Sequence, residues 1–236
     1  MMNISVLQLI EGAKQARGLT VIIDVFRAFS TACYAMERGA EAIIPVGDIE
    51  EAYRLKREHP EYVLMGERGG VIQPGFDYGN SPTLIENADF TGKTIVHTTS
   101  AGTQGIVNAV YADEVITGSF VNAGAIVEYI RRRNPQQVSL VCMGWNATEP
   151  ADEDTLCAEY LKSQLEGKAV DFSEIVRYLR EESGTGSFLD LRGEAHVSSA
   201  PPEDFDRCLH LDRCSFVLKA EPAANGSIVL RKILCE

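Results

Sequence analysis

The chain has 236 residues, 45% of them hydrophobic, and its 34 acidic against 22 basic side chains give a formal net charge of −12. That surplus of acid excludes nucleic acid as a partner, because such binding is driven by Lys and Arg on phosphates. No run of about eighteen apolar residues exists to span a bilayer, and Met1-Met2-Asn3-Ile4-Ser5 lacks the basic stretch and apolar core of an export signal, so a cytoplasmic protein with no membrane partner is expected.

Taken in chain order, short β-rich runs alternate with helical patterns. Strands are predicted over Leu19–Asp24, Ala42–Val46, Tyr62–Met65, Thr94–Thr98, Glu114–Thr117 and Val138–Met143. Their nearly continuous apolar character suits a sheet covered on both faces. Helices are predicted between and after them, over Arg27–Arg38, Ile49–Glu58, Pro82–Asn87, Gly102–Tyr111, Asn122–Arg133 and Asp154–Leu165. Ser81 as N-cap with Pro82 in the first helical position marks the start of the third. Beyond Gly167 the pattern changes: an amphipathic helix over Asp171–Glu182, a glycine-rich break from Ser183 to Ser187, two short helices near Phe188–Arg192 and Pro202–Leu209, and closing strands over Ser215–Ala220 and Ser227–Ile233. The rhythm predicts one α/β domain, a three-layer α/β/α sandwich around a mostly parallel or mixed sheet, with a core over about 1–166 and a C-terminal extension over about 167–236. Extensions of this kind often pack against a second copy, so a homo-oligomer is compatible with the chain.

The six cysteines form no Cys-x-x-Cys pair, and the four histidines lack the i,i+4 spacing of a zinc helix. Neither a structural zinc nor a disulfide framework is expected. The glycine-rich segments Gly66-Glu67-Arg68-Gly69-Gly70 and Gly75-Phe76-Asp77-Tyr78-Gly79-Asn80-Ser81-Pro82 are more informative. They mix charge and amide groups with permissive backbone, as a loop that approaches a small polar ligand requires. An ordinary surface loop is the plainer alternative.

In open α/β sheets ligands bind beyond the carboxyl ends of the strands. The predicted strands deliver Asp24 and Arg27; Glu67 and Arg68; Thr98, Thr99, Ser100, Gly102 and Thr103; Ser119 and Asn122; and Glu153 and Asp154. A parallel sheet would gather these on one edge. The hydroxyl-rich fourth loop opening a helix suits an anion, since helix starts present unpaired N–H groups; capping alone would account for one hydroxyl, not four. Asp24 at the end of a buried strand must be paired, by Arg27, or must serve a metal or catalysis. The acids at 152–154 also fit a helix dipole. Several carboxylates beside anion-binding groups suit Mg²⁺ and a phosphorylated substrate. The familiar phosphate motifs are missing: there is no Gly-x4-Gly-Lys-Ser/Thr, Cys-x5-Arg, Asp-x-Asp, Arg-His-Gly or Gly-x-Ser-x-Gly.

Taken together, Ile22-Ile23-Asp24-Val25-Phe26-Arg27-Ala28, the two glycine-rich segments, Thr98-Thr99, Gly118-Ser119 with Asn122, and Glu153-Asp154 resemble the 2-phosphosulfolactate phosphatase family over about residues 19–160. The resemblance implies the α/β/α fold and a Mg²⁺-dependent hydrolase that converts 2-phospho-3-sulfolactate to sulfolactate and phosphate, a step used in coenzyme M synthesis. It implies Asp24, Glu67, Glu153 and Asp154 as metal-side groups. Arg27, Arg68, Asn80, Ser81 and Thr99 are implied as contacts to a small phosphorylated and sulfonated organic acid. Phe29 and the run Ser100-Ala101-Gly102 depart from the family's usual residues at the expected pocket. The residues leave open whether Asp24 binds metal, activates water or attacks phosphorus itself. They also leave open a phosphatase for another 2-phospho acid, or a non-catalytic binder of small anions.

Overall fold

The computed structural model of the protein describes residues 2–183, 201–223 and 226–235. Its elements run β1 (Asn3–Gln8), α1 (Leu9–Gln15), β2 (Leu19–Ile23), α2 (Ala28–Glu37), β3 (Ala42–Pro45), α3 (Ile49–Glu58), β4 (Val63–Gly66), β5 (Thr94–Thr98), α4 (Gly102–Asn108), β6 (Glu114–Gly118), a 3₁₀ turn (Phe120–Asn122) and α5 (Ala123–Arg133). Then follow β7 (Gln137–Cys142), α6 (Asp152–Leu165), α7 (Phe172–Glu181), α8 (Glu203–Cys208), β8 (Phe216–Pro222) and β9 (Ile228–Leu234). The expected helix near Phe188–Arg192 and most of the glycine-rich break lie outside the described residues.

The strands form one mixed sheet in the order β1-β7-β2-β6-β8-β9-β3-β5-β4. Alternation along β2 shows how it is covered. Val21 and Ile23 pack into a cluster with α5, α6, α7 and α8, while Ile22 joins α1, α2 and α4 on the other face. A third cluster sets α3 residues Ala52 and Leu55 against β3, β4 and β5. The α/β/α layering is therefore as the sequence predicts. Among the described residues no helix is long and apolar enough to cross a membrane.

The closing strands β8 and β9 are inserted in the middle of the sheet, where β8 pairs with β6 and β9 with β3. The steps β6–β8, β8–β9 and β9–β3 are all antiparallel. Three reversals in succession leave β3, β5 and β4 running opposite to β1, β7, β2 and β6. The expectation that the loops meet on one carboxyl edge is thereby corrected. The functional loops come together because α4 lies across the face of β2: a Cβ on its Gly105 would stand 2.4 Å from the Ile22 side chain.

Two further expectations change. The predicted helix over Pro82–Asn87 is a chain of turns, with Glu86 N–H on Thr83 O and Ala88 N–H on Ile85 O. Ser81 Oγ does accept from Leu84 N–H at 3.2 Å, as a cap would, but the Ser81 hydroxyl and Thr83 N–H are both drawn to Asp204 Oδ1 at 2.8 and 2.9 Å. Strand β1 and helix α1 were not anticipated; β1 is a half-buried edge strand whose pairing partner is β7.

Candidate active site

Asp24 leaves the end of β2 and is capped by the start of α2: Ala28 N–H donates to Oδ1 at 2.9 Å, and Phe29 N–H to the Asp24 carbonyl at 3.1 Å. The backbone N–H of Gly102, at the start of α4, also favours its charged form. Glycine is required there, since a Cβ would lie 2.8 Å from Asp24 Oδ2 and 2.7 Å from the Ala28 methyl. Burial pushes the Asp24 carboxyl up to about 6; the Ala28 N–H opposes the shift and the Glu67 charge adds to it.

Glu153 and Asp154 come from the first turn of α6. Asp154 Oδ1 accepts from Val25 N–H and Oδ2 from Gly144 N–H, both at 2.8 Å, so this carboxylate ties the exit of β2 to that of β7. Burial, then the charges of Asp24 and Glu153, raise its pKa well above the usual carboxylate range. Glu153 is pushed up to about 7, chiefly by burial and, among its charged neighbours, by Asp24. Its Oε2 is buried with no hydrogen-bond partner among the described residues.

Glu67 follows β4, where Gly66 passes so close to β5 that a Cβ would meet Thr98 O at 1.9 Å. The carboxylate accepts from Ser100 N–H at 2.7 Å, Ser100 Oγ at 3.1 Å and Gly70 N–H at 2.6 Å. Arg68 braces neighbouring loops, donating to Glu67 O and Gly47 O at 2.9 Å each and to the Thr98 hydroxyl. Thr99 and Thr103 bond reciprocally, backbone N–H to side-chain hydroxyl, at 3.0 and 3.2 Å. Ser119 and Asn122 form a capping box at the 3₁₀ turn, and Asn122 Nδ2 donates to Phe216 O.

Arg27 and Asp204 form a buried ion pair at 2.7 Å, their side chains 7% and 0% exposed. Asn80 Oδ1 lies 3.3 Å from Nε2 of His97, whose Nδ1 is buried without a partner among the described residues. Burial, aided by the Arg68 charge, lowers the His97 pKa to about 4, so the ring is neutral.

Asp24, Glu67, Gly102, Glu153 and Asp154 thus form one connected acidic site, with Arg27 adjoining it. Of the loop N–H groups, Ser100 N–H bonds to Glu67, and the Thr99, Thr103, Ser119 and Asn122 groups bond within the fold. Asp204 and His97 were not singled out from the sequence. Asp204 sits in Glu203-Asp204-Phe205-Asp206, an acidic first turn that reads as a dipole partner; His97 lies inside an apolar strand.

An ionised carboxylate has about four lone-pair sites, so the N–H bond from Ala28 to Asp24 Oδ1 leaves sites on that carboxylate for a ligand. Among the described residues no three acid, His or Cys side chains converge as a ready metal cage. A Mg²⁺ ion, however, is usually held by one or two carboxylates with waters and substrate phosphates. Asp24 and the unpartnered oxygen of Glu153 fit that donor set, because a cation would relieve the repulsion that opposes their ionisation.

Fold and site together define an α/β protein with a buried acidic centre and a buried arginine beside it. The description 2-phosphosulpholactate phosphatase belongs to the family model that matches residues 5–221. The chain is 39% identical over 214 residues to a protein of Thermotoga petrophila, covering 90% of this chain and 92% of the relative. It is 31% identical over 220 residues to one of Bacillus subtilis, covering 92% of each, and 32% identical over 199 residues to one of Thermoplasma acidophilum, covering 84% of each. All three carry the name "probable 2-phosphosulfolactate phosphatase". The chain belongs to the 2-phosphosulfolactate phosphatase family.

Proposed function

We propose that this chain is a Mg²⁺-dependent phosphomonoesterase that hydrolyses 2-phospho-3-sulfolactate to 3-sulfolactate and phosphate, a step of the kind used in coenzyme M synthesis. The observation that carries this reading is the gathering of Asp24, Glu153 and Asp154 from two distant segments beside Arg27, with the Asp24 charge opposing ionisation of both α6 acids and Glu67 opposing that of Asp24. Such a centre favours a cation that a phosphoester can share. Asp24 and Glu153 would hold Mg²⁺, and the ion would neutralise phosphate oxygens.

The chain's own residues do the rest by positioning. Phosphoryl transfer passes through a loose transition state and depends mainly on orientation and charge stabilisation. Arg27, rigidly held by Asp204, offers its guanidinium to the phosphate or to the sulfonate and carboxylate. Arg68 and Glu67 keep the loops between β4 and α4 in place, and Asp154 holds the exits of β2 and β7 together.

Phosphate release should be compared across 2-phospho-3-sulfolactate, phospholactate and phosphoglycolate, with Mg²⁺ and with chelator. Release from the sulfonated compound should exceed that from the others by at least tenfold and vanish with chelator. A faster reaction on another 2-phospho acid would reassign the substrate. Binding of sulfolactate with no phosphate release at any Mg²⁺ concentration would make the chain a binder. Acid quenching during turnover of ³²P-labelled substrate should leave the protein unlabelled; label on Asp24 would replace direct attack by water with a phosphoenzyme.

A further inference from the structure

We propose that Asp204 is a positioning residue for substrate binding, acting through Arg27 and the 80–83 loop; this rests on the reading of Arg27 as an anion contact. A fully buried carboxylate is costly unless its oxygens are matched by donors, and the donors here are revealing. Oδ2 takes Arg27 Nη1 at 2.7 Å, while Oδ1 takes the Ser81 hydroxyl at 2.8 Å and Thr83 N–H at 2.9 Å. These groups belong to the β2–α2 junction and to the segment that carries Asn80 and Ser81. Asp204 itself arrives from a distant part of the chain.

The rest of α8 repeats the arrangement. Arg207, three residues on and therefore on the same helix face, donates Nε to Thr83 Oγ1 at 3.1 Å and pairs with Glu86 at 2.6 Å. The Phe205 ring lies 5.6 Å from that of Phe26, and Tyr34 of α2 donates to Arg207 O at 3.0 Å. Helix α8 is a brace between the two loops. Without the carboxylate, a guanidinium on a flexible stem loses an anchor that sets its angle to an arriving anion, and a misplacement of about 1 Å is enough to cost about 10²-fold in catalytic efficiency.

The test is a double-mutant cycle in the full-length protein, using 2-phospho-3-sulfolactate and Mg²⁺, with circular dichroism and Tm recorded for every variant. Asp204→Asn should lower kcat/KM about 10²-fold, mainly through KM, and Asp204→Glu should recover part of it. In an Arg27→Ala background the further loss from Asp204→Asn should shrink below about twofold, because coupled residues are non-additive. Independent, multiplying losses would overturn the proposal, as would wild-type KM in Asp204→Asn. Should Asp204→Asn not fold, Ser81→Ala removes one donor to the same carboxylate: a KM rise of several-fold that disappears in Arg27→Ala supports the proposal, and an unchanged KM overturns it. Full activity in Arg27→Ala would overturn both this and the underlying reading of Arg27, whereas a crippled Arg27→Ala beside a normal Asp204→Asn sinks only the role of Asp204.

Discussion

Three buried acids are held by backbone N–H groups: Asp24 by Ala28 four residues on, Glu67 by Ser100 of the loop after β5, and Asp154 by Gly144 and the distant Val25. Close packing around these carboxylates makes the neighbouring Gly102 sensitive to an added methyl. Gly102→Ala would press a methyl against both the Asp24 carboxylate and Ala28. Relief of such overpacking costs about 1–3 kcal/mol, and it must displace Asp24; we expect a lower Tm and a loss of phosphate release of at least tenfold, whereas unchanged kinetics would detach Gly102 from the site. His97 gives a second residue-level prediction. Its folded-state pKa is lowered from 6.5 to about 4. The unfolded chain therefore takes up the proton first, so the contribution to stability is full above pH 6.5 and is lost as pH falls through 4. The difference in urea-unfolding free energy between wild type and His97→Gln should shrink over that window by a few kcal/mol at most, about 1.4 kcal/mol per pH unit. A pH-independent difference would show that the ring's protonation is not linked to folding.

At the level of elements, the hairpin of β8 and β9 joins two parallel strand groups that do not otherwise pair. Leu230 is fully buried in it and stands level with Ala220 of β8 and Ile43 of β3, while Leu234, near its end, is 57% exposed. Leu230→Ala should cost about 2–5 kcal/mol, and Leu234→Ala within about 0.5 kcal/mol. Similar costs in chemical unfolding would contradict the central position of β9. The same insertion explains one limit of the sequence reading. Apolar runs identified β8 and β9 as strands, but pairing between residues more than 100 positions apart is not encoded in the periodicity of either partner. The 82–87 turns were misread for a related reason: Ser81 and Pro82 supply a good local start signal, yet Asp204 takes the hydroxyl and the Thr83 N–H.

Over the whole molecule, a net charge of −12 and a cluster of buried acids link stability to the ionisation of those acids, and a bound cation would enter the same equilibrium. Asp24 is raised from 3.8 to about 6 and Glu153 from 4.5 to about 7. The native state therefore keeps protons that the unfolded chain releases; the associated stability is full below the unfolded values and is lost as pH rises through 6 and 7. Mg²⁺ should thus raise Tm more at pH 8 than at pH 5, its stabilisation of the fold reaching about 2.7 kcal/mol at a hundredfold excess over Kd, and Glu153→Gln should blunt the rise. An equal shift at both pH values, or none, would remove Asp24 and Glu153 as the cation's ligands. The amino-acid sequence by itself determined the alternation of strands and helices, the layering on both faces, and the acids that end up together, because apolar periodicity and strand-end chemistry are local properties. Only the tertiary structure decided that two strand groups run in opposite directions, that the loop N–H groups clasp internal carboxylates, and that Asp204 anchors Arg27. Each of those depends on which distant donor reaches a buried acceptor, and that is set by packing of the whole chain.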